Sequence, residues 1–336
     1  MERLMNTINM NPEFYYNPQK LLSYNCLFNF IEGERGNGKT YAFKKFCIDN
    51  FIKKGLQFIW VRRYESELED IEEFFSDIQD RYPNCELKVK GKKFYCNDKL
   101  MGRAMPLSKG ITKKSVPFPN VAFIVFDEFL IEKGNYHYLP NEVKAFLDLY
   151  STIARSRDVR VFFVANSISE LNPYHLFFNI VPNGRFTKVK EDIILERTDT
   201  VNYRQAMKKT RFGKIINGTA YGRYAIDNEY INDNKEFIEE KTDYASNRFN
   251  ILYNNVYIGI WIDTKVGKIY CSFKHNKTLP TYCITTNDMK PNYLILKSNS
   301  NYMKMLKTAF ELGYIYYENL KVKGYMQEVQ KYLCIK

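Results

Sequence analysis

The chain has 336 residues, 45% apolar and 26% charged, which is the balance of a globular protein and more length than one core usually organises, so two or three domains are expected. A formal net charge of +12 and a pI near 9.1 point to a polyanionic partner, nucleic acid first. Only three His, and seven scattered Cys (Cys26, Cys47, Cys85, Cys96, Cys271, Cys283 and Cys334) with no C-x-x-C pair, leave little for a zinc site, a Ser-His mechanism or a disulfide framework. No run approaches the roughly 20 apolar residues of a membrane span, so a reduced, intracellular protein without membrane contact is expected.

In chain order, residues 1–26 are polar and contain the turn-like Tyr16-Asn17-Pro18-Gln19-Lys20. Leu27 to Ile31 reads as a short strand, and Tyr41 to Phe46 has helical spacing of apolar residues. Gln57 to Val61 is a second strand ending in Arg62-Arg63, and the acidic stretch from Ser66 to Arg81 is expected to be a helix, giving the alternation of a parallel α/β sheet. Between Glu86 and Val116 the pattern shortens to alternating strands, with nine Lys and Arg against two acids, a net +7 that offers a surface for a phosphate backbone. Val121 to Phe126 is a strand buried on both faces and ends in Asp127-Glu128; an amphipathic helix spans 140–154; Val159 to Ala165 is another buried strand, ending in Asn166; and Asn172-Pro173-Tyr174 opens a helix. Residues 184–228 are basic and weakly periodic, as a linker would be, and from Glu229 onward a mixed sheet is followed by helices at about 301–317 and 324–332.

The chemistry concentrates at Gly33-Glu34-Arg35-Gly36-Asn37-Gly38-Lys39-Thr40, a full match to G-x-x-x-x-G-K-[ST] set between a strand and a helix. Glycines at Gly33 and Gly38 let successive N–H groups converge on an anion at the helix N-terminus. Lys39 reaches the β and γ phosphates, and the Thr40 hydroxyl takes a position on Mg²⁺. Some 90 residues on, Asp127 closes a buried strand where it can hold the Mg²⁺ shell, and Glu128 can polarise the attacking water. No N-K-x-D or T-K-x-D base-reading motif is present, so ATP is expected rather than GTP. Asn166, on the next strand, can sense the γ phosphate, although caps are the commoner use of Asn. Arg155 and Arg157 end the following helix, where they either complement its dipole or complete a neighbouring subunit's site as an arginine finger.

With these residues in hand, the chain resembles the phi29-type bacteriophage DNA packaging ATPases. The likeness rests on Tyr16 to Lys20 with Leu22-Ser23-Tyr24, the loop Gly33 to Thr40, Val61-Arg62-Arg63-Tyr64, Val89-Lys90-Gly91, Pro119-Asn120-Val121, Val125 to Phe129, Pro140-Asn141-Glu142-Val143, Asn172-Pro173-Tyr174 and Lys209-Thr210-Arg211-Phe212-Gly213. The resemblance implies an additional-strand (ASCE) P-loop ATPase domain at 1–197, a short linker domain at 198–228, and an α+β, RNase H-like vestigial nuclease domain at 229–336. It implies a homopentameric ring that drives double-stranded DNA into a preformed capsid, with the portal or connector and a structural packaging RNA as partners, in the host cytoplasm and docked transiently on the procapsid. By position it makes Arg155 the arginine finger and Lys114 a residue acting on a neighbour's nucleotide, adds Gln19 to the nucleotide-binding positions, and makes Lys133 a DNA contact. Glu65 stands where relatives can carry a basic residue, and the N-terminus is about nine residues longer.

Two other readings compete. An active metal-dependent nuclease, as in terminase-like packaging proteins, would need about three converging carboxylates, for which Asp263, Asp243 and Asp288 are the available residues. A nucleotide-gated switch would need an effector loop, and the sequence shows none.

Overall fold

Strands that are apolar on both faces must be covered on both, and the first part of the chain is built around six of them. The computed structural model describes residues 14–109, 117–131, 137–228, 236–296 and 300–332. In order come α1 (Gln19–Ser23), β1 (Phe28–Gly33), α2 (Lys39–Lys54), β2 (Gln57–Arg62), β3 (Leu87–Lys90), β4 (Lys93–Cys96), β5 (Lys99–Pro106), β6 (Val121–Asp127), α3 (Glu142–Ala154), β7 (Arg160–Asn166), α4 (Pro173–Phe178), β8 (Phe186–Lys190), β9 (Ile193–Arg197), α5 (Val201–Lys209), α6 (Arg211–Ile216) and α7 (Ala220–Ala225). All belong to the first of two compact units, Met1–Asn232 and Asp233–Lys336.

The sheet order is β3-β4-β5-β2-β6-β7-β1-β9-β8. Neighbours from β5 through β9 run parallel, and the pairings at the two ends are antiparallel. β7 is inserted between β1 and β6, with Gly33 opposite Asn166 and Asp127 opposite Val164, so the ends of all three strands meet at one sheet edge. Period-two alternation sends Phe28, Phe30, Ile124, Phe126, Val161 and Phe163 to one buried cluster, and Ile31, Phe123, Val125, Phe162 and Val164 to another. α3 covers the first with Val143, Phe146, Leu149 and Ile153, and α2 covers the second with Ala42, Phe43, Cys47 and Ile48. The outermost strands are short and carry lysines at exposed positions: Lys90 on β3, Lys188 and Lys190 on β8.

In the first unit three expectations change. The acidic stretch forms 3₁₀ turns at Ser66–Leu68, Ile71–Glu73 and Gln79–Arg81 rather than one helix. An α-helix there would stack Glu69 on Glu73 and Glu73 on Asp77, like charges one turn apart, and would separate the adjacent Phe74 and Phe75 rings that both pack on Phe94. Residues 184–197 hold two strands, since Ile193-Ile194-Leu195 lies alongside Phe28 to Phe30 and extends the parallel sheet. α5 to α7 likewise pack into the first unit, with Ile216, Tyr224, Ala225 and Ile226 in the same cluster as Phe163.

The second unit contains β10 (Ser246–Tyr253), β11 (Val256–Asp263), β12 (Lys268–Ser272), β13 (Thr281–Cys283), β14 (Leu294–Ile295), α8 (Asn301–Glu311), β15 (Ile315–Tyr317) and α9 (Leu320–Tyr332). Its sheet order is β14-β13-β10-β11-β12-β15; β10, β11 and β12 form an antiparallel meander, whereas β13 runs parallel to β10, β14 to β13 and β15 to β12. The helix expected to run to 317 stops at Glu311: Gly313 takes φ 71°, the Tyr314 N–H returns to the Ala309 carbonyl at 2.9 Å, and the released chain becomes β15.

A Gly313→Ala substitution should therefore destabilise the second unit by about 1 kcal/mol, because the left-handed conformation penalises a Cβ. Denaturant unfolding in a Trp60→Phe background leaves Trp261 as the reporter of that unit, and an unchanged midpoint would contradict the assignment.

Candidate nucleotide-binding site

β1 delivers a fully buried strand to the loop, and α2 begins at Lys39 with Gly38 before it in the left-handed region (φ 88°). Gly36 also has positive φ (76°), and a Cβ on it would stand 2.6 Å from the Tyr203 hydroxyl; on Gly33 it would fall 1.6 Å from Thr198 Oγ1. The loop is thus pressed against the start of α5 with no room for side chains at these positions. Glu34 is fully buried and accepts from Asn37 Nδ2 (2.9 Å), Thr198 Oγ1 (2.7 Å) and the Thr200 N–H (3.2 Å), with Arg204 at 3.3 Å. The Tyr203 hydroxyl donates to the Arg35 carbonyl (2.9 Å), and the Tyr16 N–H donates to the Asn37 carbonyl (2.9 Å). Gln19 is exposed at the start of α1, three residues beyond that Tyr16 tie.

Lys39 is buried and donates to the Glu34 carbonyl (2.6 Å), Asn37 Oδ1 (3.0 Å) and Asn166 Oδ1 (3.5 Å). Burial pulls its ammonium down to about 7, against the opposing pull of Glu34, Asp127 and Glu32. Beneath it, Glu32 and His175 form a buried contact at 2.7 Å whose angle does not make a hydrogen bond.

The Thr40 hydroxyl donates to Asp127 Oδ1 at 3.0 Å. The other Asp127 oxygen faces Arg62 at 3.1 Å, and the same guanidinium reaches Glu128 Oε2 at 2.7 Å and Glu67 at 3.7 Å. Glu128 has φ 58°, and its side chain is 59% exposed. That strained turn is gripped from behind by the buried Arg63, which donates to the Glu128 (3.2 Å) and Phe129 (2.5 Å) carbonyls. Arg63 also forks onto Glu142 at 2.8 and 3.0 Å, and the Tyr174 hydroxyl and the Leu139 N–H complete the Glu142 carboxylate.

The structure therefore brings Gly33 to Thr40, Asp127, Glu128 and Asn166 to one sheet edge. Arg155 lies elsewhere: it caps the C-terminus of α3 with φ 53°, is exposed, and has no side-chain partner among the described residues. It precedes β7 at the amino end, so about 20 Å of strand separates it from the loop edge of its own chain. Arg157 is structural, donating to the carbonyls of Phe118, Pro119, Val121 and Ile153. Lys114 and Lys133 lie outside the described residues. Arg62, Arg63, Glu142, Thr198 and Arg204 are additions; the first three stood in the family-like blocks without a role.

In the basic window, Lys88, Lys90, Lys92 and Lys109 face Glu86, Asp98 or Glu65, so part of its excess charge is neutralised locally. The nuclease alternative fails on geometry. Asp263 is held below the usual carboxylate range by the Thr242 hydroxyl and the N–H groups of Lys265 and Val266. Asp288 accepts from the Asn254 and Asn255 N–H groups and the Thr285 hydroxyl, and Asp243 is exposed. Among the described residues no cluster of three His, Cys, Asp or Glu could hold a metal ion.

A parallel sheet with a glycine-rich loop at its carboxyl edge, a buried lysine over that loop and a Thr–Asp pair beside it defines a P-loop ATPase domain. The chain belongs to the podovirus DNA encapsidation protein (Gp16) family, which matches residues 10–335, as the resemblance in the sequence implied. It is 42% identical over 326 residues to the DNA packaging protein of Bacillus phage phi29, covering 95% of this chain and 98% of that protein. Among solved structures it is similar to a chain of the bacteriophage phi29 viral genome packaging motor assembly (40% identity, 95% and 99% coverage, TM-score 0.78). It is also similar to the N-terminal domain of the phi29 DNA packaging ATPase (48% identity, 56% and 98% coverage, TM-score 0.54).

The low value for Lys39 makes nucleotide binding consume protons. At pH 8 the ammonium is mostly neutral, and phosphates brought against it favour the charged form, so binding should take up close to one proton per site; at pH 6 it is already charged and uptake should vanish. Titration calorimetry in buffers of different ionisation enthalpy reads this directly. Lys39→Arg should abolish the pH 8 uptake, because a guanidinium stays charged; equal uptake in both proteins would exclude Lys39 as the source.

Proposed function

We propose that the chain hydrolyses ATP with Mg²⁺ and couples it to translocation of double-stranded DNA into a preformed capsid. The observation that carries the reading is the Thr40–Asp127 hydrogen bond, 3.0 Å long, beside Lys39 and Asn166. Loop N–H groups from Gly33 to Thr40, including those of Glu34, Arg35, Gly36 and Asn37, with Lys39, would hold the phosphates, and Gln19 would be a further nucleotide-binding position. Thr40 and Asp127 are a hard oxygen pair suited to Mg²⁺, which when bound neutralises phosphate charge. Glu128 orients and polarises the attacking water, and Asn166 reports the γ phosphate to Lys39. The insertion of β7 between β1 and β6 supports the additional-strand class of these ATPases.

Arg155, exposed and remote from its own loop, is proposed to complete the site of an adjacent copy in a homopentameric ring, and Lys114 to join it there. The ring would dock on the portal of the procapsid in the host cytoplasm, beside a structural RNA, with Lys133 touching DNA. For the second unit, the order β12-β11-β10-β13-β14, a meander flanked by strands parallel to its first, supports an RNase H-like ancestry, with no metal-binding carboxylate cluster among the described residues.

Glu128→Gln should bind ATP normally and stop hydrolysis, and Arg155→Ala should do the same through a neighbour, losing about 10³ to 10⁵ in rate. A mixture of the two contains interfaces with both groups intact and should regain partial turnover. A mixture as inactive as its components, with assembly confirmed by sedimentation, would place Arg155 outside the active site. Affinity for double-stranded DNA should fall steeply with salt and ignore sequence, as counterion release dictates; a binding constant flat between low and high salt would remove the phosphate-backbone reading.

A further inference from the structure

α5, α6 and α7 form a stiff elbow. A Cβ on Gly213 would stand 1.9 Å from the Met207 carbonyl oxygen, and one on Gly222 would stand 2.2 Å from that of Ile216, so each helix starts in contact with the end of the one before. Thr210 and Thr219 cap the two short helices through the Gly213 and Gly222 N–H groups. On this frame Phe212 (51% exposed), Ile215 (76%) and Tyr221 stand in solvent, with the Phe212 and Tyr221 rings 6.4 Å apart. Around them Lys209, Arg211 and Lys214 are exposed and have no side-chain partner among the described residues. Isolated apolar side chains on a surface need no explanation, but a rigid apolar group ringed by unpaired cations has the make-up of an interface centre.

The complementary face lies on the same chain. Glu69, Asp70, Glu72, Glu73 and Asp80 are exposed on the 3₁₀ segment with no side-chain partner among the described residues, and Ile71 is half-exposed among them. That segment sits on β3 and β4: Phe74 stacks on Phe94 at 4.4 Å, and Gln79 accepts from the Leu87 N–H at 3.1 Å. The elbow follows β9, at the other end of the sheet. Six strands lie between β3 and β9, and the seven inter-strand steps place the two faces roughly 30–40 Å apart at about 4.8 Å per step, too far to meet within one chain. Two different, oppositely charged faces on one subunit make a head-to-tail contact, the type that closes into rings.

We propose that the α6–α7 elbow of one copy docks on the acidic segment 66–81 of the next. The inference rests on the ring reading above and assigns it a surface. It also gives the contact a route to the nucleotide, because α5 carries Tyr203 and Arg204, which hold Arg35 and Glu34 of the loop.

The test uses the full-length protein and sedimentation across a concentration series. Lys209→Glu with Arg211→Glu, and separately Glu72→Lys with Glu73→Lys, should each weaken self-association at least about tenfold, while the two pairs combined in one chain should return it to near the parent value. Ile215→Asp, at a position that adds nothing to the fold's core, should weaken it as well. If the parent assembles and neither charge reversal moves the equilibrium, or the combined variant is no better than its parts, the docking assignment is overturned and the ring stands on other surfaces. If the elbow variant instead loses double-stranded DNA with association unchanged, the elbow is a polyanion surface and the proposal falls. A parent that stays monomeric throughout overturns both this inference and the ring.

Discussion

An ammonium placed where water is excluded must be held by the protein or lose its proton, and Lys39 meets that constraint only in part. The carboxylates that oppose its deprotonation are Glu34 within the loop, Glu32 beneath it and Asp127 across the sheet edge, and each needs partners of its own. Glu34 is satisfied by Asn37, Thr198, Thr200 and Arg204; Asp127 by Thr40 and Arg62. The lysine is thus the centre of nested acid and base layers that reach the first turn of α5 on one side and the end of β2 on the other. A polyphosphate brought against Lys39 would supply the negative charge that this arrangement withholds, and would favour the protonated ammonium.

The second layer fixes Glu128. A glutamate at φ 58° is strained by roughly 1–3 kcal/mol, and such a turn persists only where its surroundings over-determine it. Arg63 does so by binding two successive carbonyls while its charge is balanced by Glu142, itself held by Tyr174 and Leu139. Deleting one member of such a buried pair is expected to cost several kcal/mol, because the other is left charged and unpaired. Two adjacent arginines therefore do different things: Arg62 faces the acids at the surface of the site, and Arg63 faces the interior that aims one of them.

The sequence made the catalytic edge legible because its signals are local. Gly33 to Thr40 is contiguous, Asp127 and Glu128 close an unbroken apolar strand, and Asn166 closes another, so strand order alone brings them together. The partners of those residues were not legible. Thr198 and Arg204 meet Glu34 across more than 160 positions, and no pattern announces that Arg63 will find Glu142. Composition misled in two places: the acidic 66–81 stretch has helical residues but stacks like charges along one face, and the +7 window is partly paired, as Lys92 with Glu65 shows. The strands at 186–197 were missed because Phe186 and Val189 sit among polar residues and lysines, and Ile193-Ile194-Leu195 is a three-residue run between Asp192 and Glu196, so neither carries enough periodicity to register.

A nine-stranded sheet with two open edges is a template for further strands, and any assembly that holds several copies close together raises the local concentration at which such templating occurs. Here the outermost rungs are only four and five residues long, and their exposed positions carry Lys90 on one edge and Lys188 and Lys190 on the other. Two sheets approaching edge to edge would meet cation against cation along a ladder too short to compensate. Short, lysine-bearing edge strands of this kind disfavour edge-to-edge pairing, so any contact between copies would fall to side-chain surfaces.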